Sequence, residues 1–299
     1  MKIFAIIVTF NAMKRNWIEK CLNSLNNSSV DLLPIVVDNN SNDGTRDFLK
    51  NQNDIVYLPQ NKNLGFGQAN NLGIKYAVEN NADFVLLINQ DAVIHEEALK
   101  IMIDNCDGLE LISPVHLNND GTRLDNVFYD MLKRSNQDII QMALMNHEIE
   151  VKVEVGMVCA ACWLLPIDLI KKIGGFNPIF YHYGEDDNYY HRLVYHGIKT
   201  QLITKAYMQH DRKIQGNMKM FNKNRLKRDM LLILTNINWK PRKQCLEMIR
   251  LLKKCYTNYL PQKTYFPGLF FYQCIRMIFM ANKIARSRKY DKSVGLNWI

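Results

Sequence analysis

Asn89, Gln90 and Asp91 stand together where an apolar run, Phe84-Val85-Leu86-Leu87-Ile88, stops. The run has the length and the β-branched and aromatic content of a buried strand. A strand that ends in amide and carboxylate side chains delivers them to the carboxyl edge of a sheet, where open α/β folds bind ligands. A lone carboxylate beside an amide suits a hard divalent cation, Mg2+ or Mn2+, that keeps waters and shares its remaining ligands with a phosphate. A plain polar turn is the other reading of the same three residues.

A second concentration runs from Phe180 to Arg192 and holds Glu185, Asp186 and Asp187 in succession at a helix start. The helix macrodipole favours negative charge there, which accounts for part of the cluster. The functional reading is a general base, a carboxylate that takes the proton of an attacking hydroxyl. His210 follows a strand and precedes Asp211 and Arg212, and its place after the acidic cluster suggests a metal or diphosphate contact. A third stretch, Asp38 to Thr45, is polar at seven of eight positions and follows a strand. Such a loop can read a nucleobase and ribose by donor and acceptor geometry. Ser41 or Asp43 could equally cap the next helix. The run Asn61 to Asn70 is a glycine-rich turn into a helix, whose first amides favour anions. It misses the dinucleotide fingerprint at Asn70 and falls outside the first strand–helix turn, which argues against a dehydrogenase.

Alternating strands and helices must position these groups. Strands are expected at 2–8, 33–37, 55–58 and 84–88, with helices at 16–25, 45–51, 67–80 and 96–105. Residues 115–150 are less regular. A strand is expected across 151–165, then a helix at 168–173 closed by Gly174-Gly175, a helix at 184–195 and a strand at 199–203. The pattern predicts an α/β fold with a mostly parallel sheet covered by helices on both faces.

The 299 residues suffice for one large domain with an appendage, and 47% hydrophobic and 22% charged content are ordinary for a folded protein. Met1-Lys2 runs directly into Ile3–Val8, shorter than the apolar stretch of a secretory signal, so the expected location is the cytoplasm. Seven irregularly spaced cysteines fit that location. Cys159 and Cys162 form a CxxC without a second metal-binding pair and read as buried strand cysteines. The net charge of +9 is uneven: residues 217–299 hold 18 Lys and Arg against 3 Asp and Glu, and residues 1–216 hold 20 against 26. A catalytic domain at 1–216 and a basic helical extension at 217–299 are expected.

Four blocks, in order, resemble inverting glycosyltransferases of family 2, whose fold is the GT-A nucleotide-diphospho-sugar transferase fold. They are Val8-Thr9-Phe10-Asn11, Val37 to Thr45, Leu87 to Asp91, and Gly174-Gly175-Phe176 leading to Glu185-Asp186. The span Asn61 to Gly73 matches the glycine-asparagine block of that family, and the resemblance covers residues 1 to about 215. The Asn-Gln-Asp form of the triplet is similar to bacterial rhamnosyltransferases of surface polysaccharide synthesis. The resemblance implies that Thr9 and Asn11 line the nucleotide pocket and that Asp38 hydrogen-bonds the base. Asn40, Asn70, Asn89 and Gln90 join the donor-binding set. Asp91 would hold the divalent metal on the donor diphosphate, and His210 would contact that metal or the diphosphate. Asp186 would be the base that deprotonates the acceptor, with Glu185 beside it. Two positions depart from the pattern: Asn89 replaces an acid at the head of the triplet, and Asn188 replaces the second acid after Glu185. The first lowers the charge available to a cation, which is then expected to bind together with the nucleotide sugar.

The implied donor is a dTDP- or UDP-sugar and the implied acceptor a saccharide or lipid-linked saccharide. In the basic part, Glu247–Lys254 and Phe266–Met280 place apolar and aromatic residues beside Lys and Arg, a pattern suited to a helix lying on an anionic bilayer. That would put the enzyme on the inner face of the cell membrane. The alternative is that these helices pack on the catalytic domain. Nucleic acid is not an expected partner, because no recognised nucleic-acid module is present. The rival functions are a non-catalytic nucleotide-sugar or nucleic-acid binding protein, and a sugar nucleotidyltransferase. The latter wants a glycine-rich basic loop after the first strand, where Thr9-Phe10-Asn11-Ala12 stands.

Overall fold

β1 (Ile3–Thr9) shows why the sheet is covered on both faces. Phe4 and Ile6 join one apolar cluster, with Val37, Val85, Leu87 and Trp163. Ile3, Ala5 and Ile7 join the other, with Val36, Leu86, Ile88 and Leu164. A strand buried on both sides reads as a continuous apolar run rather than an alternation. The structure is a computed structural model and describes residues 1–145, 147–212, 223–258 and 266–299.

The other strands are β2 (Leu33–Asp38), β3 (Val56–Pro59), β4 (Phe84–Asn89), β5 (Ala92–Ile94), β6 (Glu110–Asn118), β7 (Lys152–Val155), β8 (Cys162–Pro166) and β9 (Lys199–His210). They form one sheet in the order β3-β2-β1-β4-β8-β6-β9-β5, with β7 also paired to β9. β3, β2, β1 and β4 are mutually parallel, β8 is antiparallel to both β4 and β6, and β6 is parallel to β9. The parallel register sets Thr9 beside Asp38 and Val8 beside Asn89, so three strand ends share one edge.

Of the helices, α1 (Trp17–Asn26), α2 (Thr45–Lys50), α3 (Phe66–Glu79) and α4 (Ala98–Asp104) connect the first strands. They are followed by α5 (Asn126–Ser135), α6 (Gln137–Leu144), α7 (Ile167–Ile173) and α8 (Glu185–Tyr195). At Gly73 of α3 a β-carbon would fall 2.5 Å from Ile6 Cγ2, which keeps this helix tight on β1.

Three expectations are corrected. The single strand at 151–165 is two, because β7 pairs with β9 and β8 with β4. At Gly156 the chain turns away against Ser135, and the Asn136 Oδ1 takes the Gly156 amide at 3.0 Å. The stretch 115–150, expected to be less regular, contains the end of β6, which starts at Glu110, and all of α5 and α6; Pro114 disguises the strand, and the pairing register shifts between Pro114 and Val115. The strand expected to end at 203 continues to His210 as β9.

Beyond these lie α9 (Lys223–Thr235), α10 (Pro241–Asn258), α11 (Phe266–Phe279) and α12 (Ala281–Lys292). Leu226, Met230, Leu231, Cys255, Met277 and Ile284 from these helices form a third cluster with Phe180, just before the acidic residues. The helices therefore pack on the part of the chain that carries Glu185–Asp187. The expected boundary at 216/217 lies outside the described residues. Among the described residues no helix is long and apolar enough to cross a membrane.

Candidate active site

At the ends of β1 and β2 the polar side chains bind one another. Asp38 is fully buried and accepts from Thr9 Oγ1 at 3.3 Å, from the Ser41 amide at 3.2 Å and from Arg46 Nε at 2.9 Å. Arg46 balances its charge and also donates to Asn40 Oδ1 at 2.9 Å and to the Gln60 carbonyl. Asn11 and Asn40 both take left-handed backbone, at φ of 54° and 68°. The Asn11 amide donates to Ser41 Oγ at 2.9 Å and its Oδ1 accepts the Asn42 amide at 2.9 Å. Asp43 accepts the Met13 amide at 3.1 Å as well as the Thr45 amide at 3.2 Å, so this loop ties down the turn after β1 besides starting α2. Asn39 links the loop to α3, donating to the Gly65 carbonyl at 3.2 Å and accepting the Leu64 amide at 3.1 Å. Gly65 has φ of 81°, and the Tyr181 carbonyl occupies the space a β-carbon would need. Asn70, buried one turn into α3, donates to the Phe66 carbonyl at 3.0 Å.

The triplet closes the next side. The Gln90 side chain grips the Phe10 backbone, accepting its amide at 2.8 Å and donating to its carbonyl at 3.3 Å. β5 pairs with β9 so that Ala92 faces His210. This brings His210 Nε2 to 3.3 Å from Asp91 Oδ1 and 3.4 Å from Asn89 Nδ2. The other ring nitrogen lies 3.3 Å from Arg212 Nη2. A guanidinium only donates, so Nδ1 is the acceptor, and Nε2 lies between the Asp91 carboxylate, which only accepts, and the Asn89 amide nitrogen, which only donates. Arg212 is held in turn by Asp125 at 3.1 Å and lies 3.6 Å from Cys159 Sγ. Burial pushes the Cys159 thiol up to about 11, so it stays protonated.

The third side is the start of α8, entered through Tyr183 and Gly184 with φ of 65° and 96°. Burial, then the Asp186 charge, pushes Glu185 up to about 7, and its Oε2 is buried without a hydrogen-bond partner. Asp186 is half-buried and raised by desolvation, opposed by backbone hydrogen bonds from Asp187, its own amide and Ala160. Burial and the Asp186 charge bring Asp187 to about 7, and Arg228 pulls it back. Such like-charge crowding keeps protons on the cluster near neutral pH.

The strip Cys159-Ala160-Ala161 joins these sides. The Ala161 carbonyl accepts the Asn89 amide at 2.9 Å, Cys159 lies against Arg212, and the Ala160 backbone stands near enough to the Asp186 carboxyl to lower it. The start of α3 meets α8 as well: a β-carbon on Gly67 would lie 3.4 Å from that of Glu185. The strip thus holds Asn89 directly and lies near Asp186, while His210 is reached from Cys159 through Arg212, and Asp91 through His210. Thr9, Asp38 and Asn70 are buried, with their polar groups turned to protein partners, whereas Asn11, Asn40, Gln90 and Asp91 keep exposed surface. Sequence reasoning missed Arg46 and the 159–161 strip and gave Arg212 no role. An arginine two residues after His210, just past the end of β9, was the one available signal.

The donor set fits a divalent cation. Asn89 Oδ1 is buried and without a partner, and the Asp91 carboxylate lies across His210 Nε2 from the same amide, so the triplet offers two hard oxygens. Among the described residues no three His, Cys, Asp or Glu side chains form a complete metal cage. A cation held here takes its other ligands from water and phosphate.

The family model described as Glycosyl transferase family 2 matches residues 4–174, more than half of the chain. The low-salt glycan biosynthesis hexosyltransferase Agl10 of Haloferax volcanii is 27% identical over 161 residues, 53% of this chain and 52% of that protein. The dTDP-rhamnosyl transferase RfbF of Shigella flexneri is 28% identical over 121 residues, 40% of each chain. The chain thus spans about half or less of the length of these curated relatives. The crystal structure of S. aureus TarS 1–349 in complex with UDP superposes with a TM-score of 0.58 at 16% identity, covering 98% of this chain and 88% of that one. That likeness is one of fold, and it is the GT-A fold.

Proposed function

The chain belongs to glycosyl transferase family 2, and on that premise we propose that it moves a sugar, rhamnose or another hexose, from a dTDP- or UDP-linked donor to a saccharide or lipid-linked saccharide hydroxyl, with inversion. The observation that supports this reading is the 159–161 strip, whose Ala161 carbonyl takes the Asn89 amide and whose Ala160 backbone stands near enough to the Asp186 carboxyl to lower it. A cation-binding oxygen pair and a base-type carboxylate therefore border the same strip. A relative named as a dTDP-rhamnosyl transferase and a fold neighbour bound to UDP support the two donor nucleotides. The names of both relatives favour a role in building glycans, and we extend this to cell-surface polysaccharide.

Asp91 and Asn89 Oδ1 would hold a divalent cation, which would supply positive charge to the departing diphosphate. His210 orients Asp91 through its Nε2 proton and presents the same donor toward phosphate. Arg212, fixed by Asp125, adds positive charge behind His210. Asn11 and Asn40 face the nucleoside, and Thr9, Asp38 and Arg46 stiffen the loop that carries them. Asp186 accepts the proton of the acceptor hydroxyl as it attacks the anomeric carbon from the side opposite the diphosphate. Glu185, behind it, exchanges protons with the cluster. A base raised toward neutrality accepts protons more readily than an ordinary carboxylate, and its working form is deprotonated. Turnover therefore rises as pH rises through its pKa.

The C-terminal helices supply a surface for the acceptor side. Phe271, Ile275, Ile278 and Phe279 fall on one stripe of α11, with Phe279 85% exposed. Leu246 and Ile249 of α10 are exposed beside Arg242, Lys243, Arg250 and Lys253. An apolar stripe with a basic rim fits an anionic bilayer on the cytoplasmic face, where lipid-linked acceptors lie. Flotation with anionic vesicles tests this, and no binding at low salt refutes it. For the reaction itself, a thermal-shift panel of nucleotide sugars with Mg2+ or Mn2+ is expected to show the largest stabilisation with dTDP or UDP donors. Equal shifts for all nucleotides, or none, would overturn the assignment.

A further inference from the structure

Residues 217–299 contain three acids among their 18 basic residues, Asp229, Glu247 and Asp291. Of these Asp291, on α12, is buried, at 1% exposure. Its two oxygens gather donors from four separate segments. Oδ2 accepts Asn188 Nδ2 at 2.9 Å and the Ser287 hydroxyl at 3.4 Å. Oδ1 accepts Trp298 Nε1 at 3.2 Å, and Asn177 Nδ2 lies 3.1 Å from both oxygens. Arg192 Nε, buried and otherwise without a partner, stands 3.8 Å from Oδ1. Arg192 then reaches across to the Ile173 carbonyl at 2.8 Å and to the Gly175 carbonyl. Gly175 opens the segment to Phe176, which packs on Tyr189 of α8 with ring centroids 5.3 Å apart.

The first turn of α8 lacks a support of its own. It has no side-chain N-cap, it is entered through two positive-φ residues, and its three acids repel one another. Besides the packing of Tyr189 and the bonds of His191 to Asn236 and Asn238, this helix is held one turn deeper at Asn188 and Arg192, and both of these lead to Asp291. We propose that Asp291 is a positioning residue for sugar transfer: it fixes the rotation and depth of α8 so that Asp186 faces the cleft. This rests on the function proposed above. It makes the C-terminal helices a working part of the active site. A carboxylate is required because one residue must accept from two amides, a hydroxyl and an indole while balancing a buried guanidinium. An amide at 291 would offer one acceptor oxygen and set an NH2 group against other donors. Position 188 departs from the family pattern as an amide, and the carboxylate 2.9 Å away on another element complements it.

The test uses the full chain. Turnover is read as nucleoside diphosphate released from dTDP-rhamnose and from UDP-glucose with Mn2+, and nucleotide affinity is read by calorimetry with dTDP and UDP. Misplacing a base by a fraction of an ångström costs rate without touching the donor wall. Asp291→Asn is expected to lower kcat about tenfold or more, with the donor KM and nucleotide affinity within about twofold of wild type. Asn188→Ala spares the Arg192–Asp291 pair, folds where Asp291→Asn does not, and is expected to lower kcat about threefold to tenfold at unchanged KM. Wild-type kcat in folded Asn188→Ala overturns the inference. So does loss of nucleotide affinity in step with kcat in either variant, which marks general unfolding. Wild-type chain that turns over neither donor removes the reading of function, and this inference with it.

Discussion

The two sides of the cleft are built on opposite terms. On the donor side, Asp38, Arg46, Thr9, Ser41 and Asn40 satisfy one another within one loop and the strand beside it. On the acid side, Glu185 keeps a buried oxygen without a partner, and Glu185 and Asp187 both lie near 7. The first arrangement is preorganised and electrostatically closed, as suits recognition of a fixed ligand. The second leaves carboxylates poised between protonation states, which costs stability and is the mark of a group that exchanges protons. On the function proposed above, recognition falls to a self-contained loop and chemistry to a helix propped from far along the chain.

The largest effect that would sharpen this contrast belongs to Asp186→Asn. Turnover should fall by about 10²- to 10⁴-fold, while calorimetry returns wild-type affinity for dTDP or UDP. Near wild-type turnover would remove the difference between the two sides. Next comes Arg46→Ala, which leaves the Asp38 carboxylate buried and unpaired. A loss of about 3 kcal/mol, seen as a drop in melting temperature on the order of 5–10 °C, is expected. A neutral outcome would mean that the donor loop is not closed in the way described.

Glu185→Gln probes the cost on the other side. Its folded carboxyl is raised to about 7 from an ordinary 4.5, so the folded state holds the proton more tightly than the unfolded chain. Wild-type stability should therefore fall as pH rises from about 4.5 to 7 and level off above, by up to about 3 kcal/mol. The Gln variant should melt a few degrees higher than wild type at pH 8 and alike at pH 4.5, which a pH series of melting curves reads directly. Smallest is Phe279→Ser, expected to weaken vesicle binding about tenfold with turnover of a water-soluble acceptor unchanged.

What could be read from the residues follows the same division. The strand ends bearing Thr9, Asp38 and Asn89 were legible because short apolar runs stop abruptly at polar residues, and parallel pairing aligns them. The acids at 185–187 were legible as a cluster. Their setting was not, since the bonds that fix it join residues 87 and 103 positions apart, Asp125 to Arg212 and Asn188 to Asp291. No periodicity carries that information. Pro114 hides β6, and the turn at Gly156 divides what reads as one apolar strand, so the 159–161 strip reads as strand interior.

Everything turns on Asp91 and Asp186 addressing one bound donor. Crystals grown with Mn2+ and UDP or dTDP, measured at the manganese edge, test this most directly. The account predicts an anomalous peak against Asp91 and Asn89 Oδ1, with the diphosphate beside it and Asp186 bordering the same cavity. Manganese and nucleotide bound elsewhere, with Asp186 walled off from both, would contradict it.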